Sequence, residues 1–91
     1  MSKEVRVTGY LLEKYGNLAV GTTPLKFDTG GQDFIIVNNS TNKKVFIGSD
    51  DTVTTANGFA LADNKDMMVR GVIYLRTTEG TADVRYIQAS K

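Results

Sequence analysis

The sequence predicts an all-β fold: a small antiparallel β-sandwich, jelly-roll or Ig-like, of about seven or eight short strands. Three observations predict it. Gly, Asn, Thr, Asp and Ser punctuate the chain roughly every eight to twelve residues, with short runs rich in Val, Ile, Phe, Tyr and Thr between them. No window places apolar residues at i, i+3, i+4 and i+7 over a helical length. The 91 residues suffice for one domain and are too few for two.

The elements follow in order. Residues 5–12 read as a first strand, with Val5, Val7 and Leu11 on one face and Gly9 as a bulge or close-approach point. The best helical candidate, residues 9–15, amounts to one or two turns at most. Leu18-Ala19-Val20 is a short segment ended by Gly21. Pro24 lacks an N–H and suits the start or edge of Leu25-Lys26-Phe27. Asp28-Thr29-Gly30-Gly31 is a turn. Residues 32–38 form a strand with Phe34 and Ile36 on one side and Ile35 and Val37 on the other. Both faces are apolar, so both should be covered, by the core on one side and by a second layer or another subunit on the other. Residues 44–48 are expected to return beside this strand as a long-looped hairpin. Residues 49–57 form a polar loop, and Asn57-Gly58 a turn before Phe59-Ala60-Leu61. Asp63-Asn64-Lys65-Asp66 is a further turn. Residues 67–70 precede a break at Gly71, and residues 72–76 and 82–88 read as a closing hairpin. In its last strand Val84 and Tyr86 share one face, Arg85 and Ile87 the other.

Composition excludes several classes of chemistry. There is no cysteine, hence no disulfide and no thiolate metal site. Histidine is absent too, so a Ser–His or Cys–His triad cannot be built in its usual form. The acidic residues lie mostly in turns, where Asp bonds the nearby backbone, so a paired-carboxylate mechanism is disfavoured. The sequence therefore predicts no enzyme, no cofactor and no metal. The stretches Ser49-Asp50-Asp51 and Asp63-Asn64-Lys65-Asp66 offer oxygen ligands for calcium. Neither matches an EF-hand loop, and Lys65 places a cation inside the second. Turn chemistry accounts for both.

Net charge is +1, which gives no overall attraction for nucleic acid. Arg70, Tyr74, Arg76, Arg85 and Tyr86 fall on the last strands and could grip a single strand by stacking and charge. Parity with Val72 and Val84 is expected to turn both rings into the core instead. The longest apolar run, Phe34-Ile35-Ile36-Val37, is far below the ~20 residues of a membrane span, and the start of the chain does not read as a signal peptide.

What remains is surplus apolar surface. Phe34-Ile35-Ile36-Val37, Val45-Phe46-Ile47, Met67-Met68-Val69 and Val72-Ile73-Tyr74-Leu75 are apolar on both faces, and a sandwich has one interior. Either subunit contacts bury the excess, or loops and the N-terminal segment do. Phe34, Ile36, Phe46 and Met68 are the predicted self-contact residues, and residues 1–6 a candidate arm.

The order Asn38-Asn39-Ser40, Val45-Phe46-Ile47-Gly48, Val53-Thr54-Thr55-Ala56-Asn57-Gly58-Phe59-Ala60-Leu61, and the ending Ile73-Tyr74-Leu75 followed by Gly80-Thr81-Ala82-Asp83-Val84-Arg85, resembles a module of small tailed-phage and prophage proteins. The resemblance covers roughly residues 33–86 and departs from the pattern at residues 63–66. It implies a structural β-domain of the virion, in head decoration, head fibre or tail accessory parts. Made in the host cytoplasm, such a part binds its own copies and neighbours such as the major capsid or tail protein. The residues also have a physical reading. Gly48 and Gly58 would permit turns, Asn57 would tolerate positive φ, and Phe59 and Leu61 would fill the core. Two other functions remain open: a carbohydrate- or receptor-binding module, and a small-barrel binder of single-stranded nucleic acid.

Overall fold

In an extended chain every second side chain points the same way, so an alternating sequence has one face to bury. The computed structural model describes the backbone of residues 5–7, 10–12 and 14–89, and the side chains of residues 14–89. Within that span the chain forms strands β1 Val5–Val7, β2 Tyr10–Leu12, β3 Tyr15–Val20, β4 Leu25–Asp28, β5 Phe34–Asn38, β6 Val45–Gly48, β7 Phe59–Leu61, β8 Asp66–Val69, β9 Val72–Thr77 and β10 Ala82–Gln88.

Eight of these make two four-stranded sheets, ordered β3-β10-β5-β8 and β4-β9-β6-β7, with every neighbouring pair antiparallel. From β3 onward the chain changes sheets at every connection except β6 to β7. That order is a jelly roll, which decides between the two sandwich types the sequence allowed. β1 and β2 pair with each other in a separate antiparallel ribbon, so the expected single strand over residues 5–12 is two. The candidate helix over residues 9–15 is not formed at its described positions: residues 10–12 are strand β2, Lys14 is a connection, and β3 starts at Tyr15. The predicted face of Val5, Val7 and Leu11, Gly9, and residues 1–4 of the candidate arm lie outside the described residues.

The inner faces supply the core. Val20, Phe34, Ile36, Val69, Ala82 and Val84 from one sheet meet Phe27, Val45, Ile47, Leu61 and Leu75 from the other. Phe27, Phe34 and Tyr86 pack as a cluster, with ring centroids 5.4, 4.9 and 5.9 Å apart. Each such pair adds about 0.5–1.5 kcal/mol beyond its buried area. Tyr86 lies over Gly16, its cross-strand partner. A Cβ there would sit 2.7 Å from the Tyr86 hydroxyl, so only glycine fits beneath the ring.

Two expected hairpins do not exist. β5 pairs with β10 and β8, while β6 pairs with β9 and β7 in the opposite sheet. β9 and β10 likewise belong to different sheets. The reason is burial. Phe34 and Ile36 face Val45 and Ile47 across the core, where both sets leave water; side by side in one sheet they would still need a second layer. The loops are corners between the sheets, held by buried polar groups. Asn38 is wholly buried. Its amide nitrogen donates to the carbonyls of Lys43 (2.6 Å) and Leu61 (3.0 Å), and its side-chain oxygen accepts from the Ser40 amide. Thr29 clips another corner, its hydroxyl accepting from the Gly71 amide at 2.6 Å while its own N–H donates to the Gly71 carbonyl.

A candidate interaction face

The sandwich has two outer faces, and they differ. On the β4-β9-β6-β7 side, Phe46 and Gly48 of β6 point outward, because Val45 and Ile47 point in. The loop of residues 49–58 folds back over them. Val53 is 4% exposed and sits against Gly48, where a Cβ would meet its side chain at 2.7 Å. A Cβ on Gly58 would meet the Cβ of Phe46 at 2.8 Å and Val53 at 2.9 Å. Neither glycine has positive φ, so both are required for close approach rather than for a turn. The loop is fixed by its own polar residues. The Thr54 amide donates to the Asn57 side-chain oxygen at 2.7 Å, and the Gly58 amide to the Thr54 carbonyl at 2.9 Å. Asn57 therefore acts through its side chain and has no positive φ; Asn42 and Asn64 do.

On the β3-β10-β5-β8 side the register builds rows. Tyr15, Ile87, Ile35 and Met68 lie directly across from one another on successive strands, and Asn17, Arg85, Val37 and Asp66 form the next row. Tyr15 is 76% exposed and Met68 50%, while Ile35, Val37 and Ile87 are half-buried. Tyr15, Asn17, Ile35, Val37, Arg85 and Ile87 line an open concavity of about 660 Å³. Ion pairs bound the two rows at either end, Arg70 to Asp33 at 2.7 Å and Arg85 to Asp83 at 3.0 Å. The Arg70 hydrogen bond holds Asp33 below the usual carboxylate range. The Asn39 amide, with Arg85 behind it, does the same for Asp83.

The four predicted contact residues separate. Met68 lies on the bare face. Phe46 lies under the 49–58 loop. Phe34 and Ile36, 5% and 0% exposed, are core. The correction is one of parity: their neighbours Ile35 and Val37 carry the exposed apolar surface of that strand. Phe59 was expected inside and is instead 62% exposed on the edge strand β7, while Leu61 is buried. The sequence signal that would have found the bare face is the pair of out-of-phase apolar residues, Ile35 in β5 and Ile87 in β10, each between inward-facing neighbours.

The other candidates disperse. Tyr74 and Arg76 face outward on one sheet and Arg85 on the opposite one; Tyr86 is in the core cluster and Arg70 is paired with Asp33. The expectation that Tyr74 points inward is corrected, since Ile73, Leu75 and Thr77 are the inner residues of β9. The acidic loops spend their oxygens on backbone. Asp63 accepts from the amides of Asn42 (2.6 Å) and Lys43 (3.3 Å), and Asp50 from the Thr52 amide and hydroxyl, which lowers its pKa. Among the described residues no three acidic side chains gather around a metal-sized space, and no helix is long and apolar enough to cross a membrane.

The class thus defined is an antiparallel jelly-roll domain with one outer sheet face roofed by its own loop and the other apolar and left open by the described residues. No protein-family model, no curated protein and no solved structure matches the chain.

Proposed function

We propose that this chain is a non-enzymatic structural part of a tailed-phage particle, a head decoration, head fibre or tail accessory protein. It binds its own copies and neighbouring virion proteins, such as the major capsid or tail protein, through the open face of β3-β10-β5-β8. The observation that carries the reading is the Tyr15–Ile87–Ile35–Met68 row, an apolar stripe with a polar rim, which is the anatomy of a protein–protein interface. Two supports stand beside it. Jelly rolls recur in viral capsids, an analogy of fold only. The residues that resemble the phage module have packing roles: Asn38 and Ser40 tie a corner, Gly48 and Gly58 admit the covering loop, and Ala82 and Val84 fill the core. Contacts of modest strength, repeated by particle symmetry, add up to firm attachment.

The test has two parts. Light scattering after size exclusion reads the mass of the purified chain; a defined oligomer is expected, and a monomer at all concentrations removes self-association. Particles purified from a lysate of the strain carrying the coding sequence are then probed for the chain. Its presence at many copies per particle is expected, and its absence overturns the virion reading. One observation favours a second reading. Exposed Tyr15 beside Asn17 and Arg85 on a concave surface offers a stacking ring with polar neighbours to a sugar. Glycan binding that disappears in Tyr15→Ala would favour it.

A further inference from the structure

We infer that β3 is a docking edge, which takes an extended segment of a neighbouring protein as a further strand of the β3-β10-β5-β8 sheet. That the neighbour is part of a particle rests on the proposed function; that β3 accepts a strand rests on its own backbone. Each sheet has two edge strands, here β3 and β8 in one and β4 and β7 in the other. A bare edge is a row of unpaired N–H and C=O groups, and folded proteins blunt it with short strands, charges or proline. Three of these edges are blunted. β7 has three residues. β4 has four, follows Pro24 and carries Lys26 and Asp28. β8 has four, begins on Asp66 and lies between Lys65 and Arg70. β3 has six, with no charge and no proline, and pairs with β10 along its whole length without a bulge.

Hydrogen-bond parity defines what that edge offers. The Gln88 amide donates to the Lys14 carbonyl at 2.7 Å, so in this antiparallel ladder Lys14, Gly16, Leu18 and Val20 turn their N–H and C=O groups to β10. Tyr15, Asn17 and Ala19 turn theirs the other way, at intervals of about 7 Å. Among the described residues no strand meets these groups, and β1 and β2 pair only with each other. Gly21, next in the same phase, gives its carbonyl to the Thr77 amide at 2.8 Å and so ends the open stretch. Side chains complete the slot. The short link 21–24 puts β4 on the same side of the sandwich as β3. Leu18 and Leu25, the inward apolar residues of these two strands, are half-buried, and the Tyr86 ring lies over Gly16. An added strand with aliphatic side chains at alternate positions turns them onto Leu18 and Leu25. Its other side chains lie beside Tyr15 and Asn17, where they lengthen the rows of the open face. A single strand fits better than a second copy. The edge of a whole sandwich would meet β4 as well as β3, and Pro24, Lys26 and Asp28 guard β4.

The experiment uses the whole 91-residue chain and an N-acetylated seven-residue peptide of alternating valine and threonine, because main-chain pairing tolerates sequence. Amide hydrogen exchange is followed by NMR. In the chain alone the amides of Tyr15, Asn17 and Ala19 should exchange fast and those of Gly16, Leu18 and Val20 slowly. Millimolar peptide should slow the first three about tenfold or more and leave the second three unchanged. Asn17→Pro and Ala19→Pro each remove an outward N–H and no bond to β10, so both should stay folded by circular dichroism and lose the effect. No slowing with peptide, equal slowing along β8, or a folded proline variant that still binds overturns the docking edge. Slow exchange of Tyr15, Asn17 and Ala19 in the chain alone overturns the neighbour as occupant. If that protection grows with concentration the strand comes from a second copy, and otherwise from the chain's own ends. Ile35→Lys separates this edge from the open face: it should bind the peptide as the unaltered chain does, whatever its self-association. Loss of peptide binding in Ile35→Lys would put the peptide on the face and overturn the edge.

Discussion

The two outer faces of this sandwich begin with the same problem and reach different solutions. β6 carries outward Phe46 between inward Val45 and Ile47; β5 carries outward Ile35 and Val37 between inward Phe34, Ile36 and Asn38. Over β6 the chain supplies a roof of its own, with Val53 pressed onto Gly48 and the backbone of Gly58 against Phe46. Over β5 the described residues supply none, and Tyr15 and Met68 stand exposed at either edge of the row. The difference comes from loop length and two glycines. From β3 onward the β6–β7 connection is the one link that stays within a sheet, and its residues 49–58 are long enough to fold back. Glycine at 48 and 58 removes the two Cβ atoms that would hold that loop off. Apolar alternation on both sides of a strand therefore does not by itself identify an interface; whether a loop covers the second side does.

Four substitutions and one titration would sharpen or break this contrast. Val53→Asp puts a charge where the loop meets the sheet and should cost about 3 kcal/mol or more, read by chemical denaturation. Because it uncovers Phe46, it should also cause new association on the formerly roofed face. If stability fell by only a few tenths of a kcal/mol, the loop would not be packed on that face. Gly48→Ala should cost about 1–3 kcal/mol through the 2.7 Å clash with Val53, with no backbone contribution because φ is ordinary.

Ile35→Lys, on the open face, should change stability by about 1 kcal/mol or less and abolish self-association. A large loss of stability with association intact would reverse the assignment of the two faces. Between the sheets, Thr77 is wholly buried and its hydroxyl has no hydrogen-bond partner among the described residues. Thr77→Val should raise stability by up to about 1 kcal/mol, seen as a higher melting temperature.

The smallest effect is with pH. Asp33 and Asp83, at the rims of the open face, have pKa values lowered by their hydrogen bonds, as does Asp50 in the covering loop. A lowered folded-state pKa contributes stability that is present above the ordinary carboxylate value of about 3.9 and is lost as pH falls through the lower folded values. All three groups are exposed, so the loss should be modest, confined to acid below about pH 4, and reduced by salt. Melting curves from pH 6 to pH 2, at low and high salt, measure it.

The local elements were legible in the sequence to the extent that they depend on neighbours along the chain. The alternation of Phe34, Ile35, Ile36 and Val37, and of Val84, Arg85, Tyr86 and Ile87, set which side chains share a face. Gly30, Gly31, Gly71 and Gly80 mark positive-φ turns where glycine was expected to break the strands. The absence of helical periodicity settled the all-β class. Side-chain direction in a strand has a period of two and needs no information beyond a few residues.

Strand partners depended on the tertiary structure alone. A short Gly- and Asn-rich link looks the same whether it returns beside its strand or crosses to the facing sheet. Here the 38–45 and 77–82 links cross, because the strands they join bury their apolar sides against each other across the core. The same applies to Phe34 and Ile36 against Ile35 and Val37. The sequence determined that these two pairs face opposite ways. Only the packing of the two sheets decided which pair became core and which was left on the outer face, because burial depends on what lies on the other side.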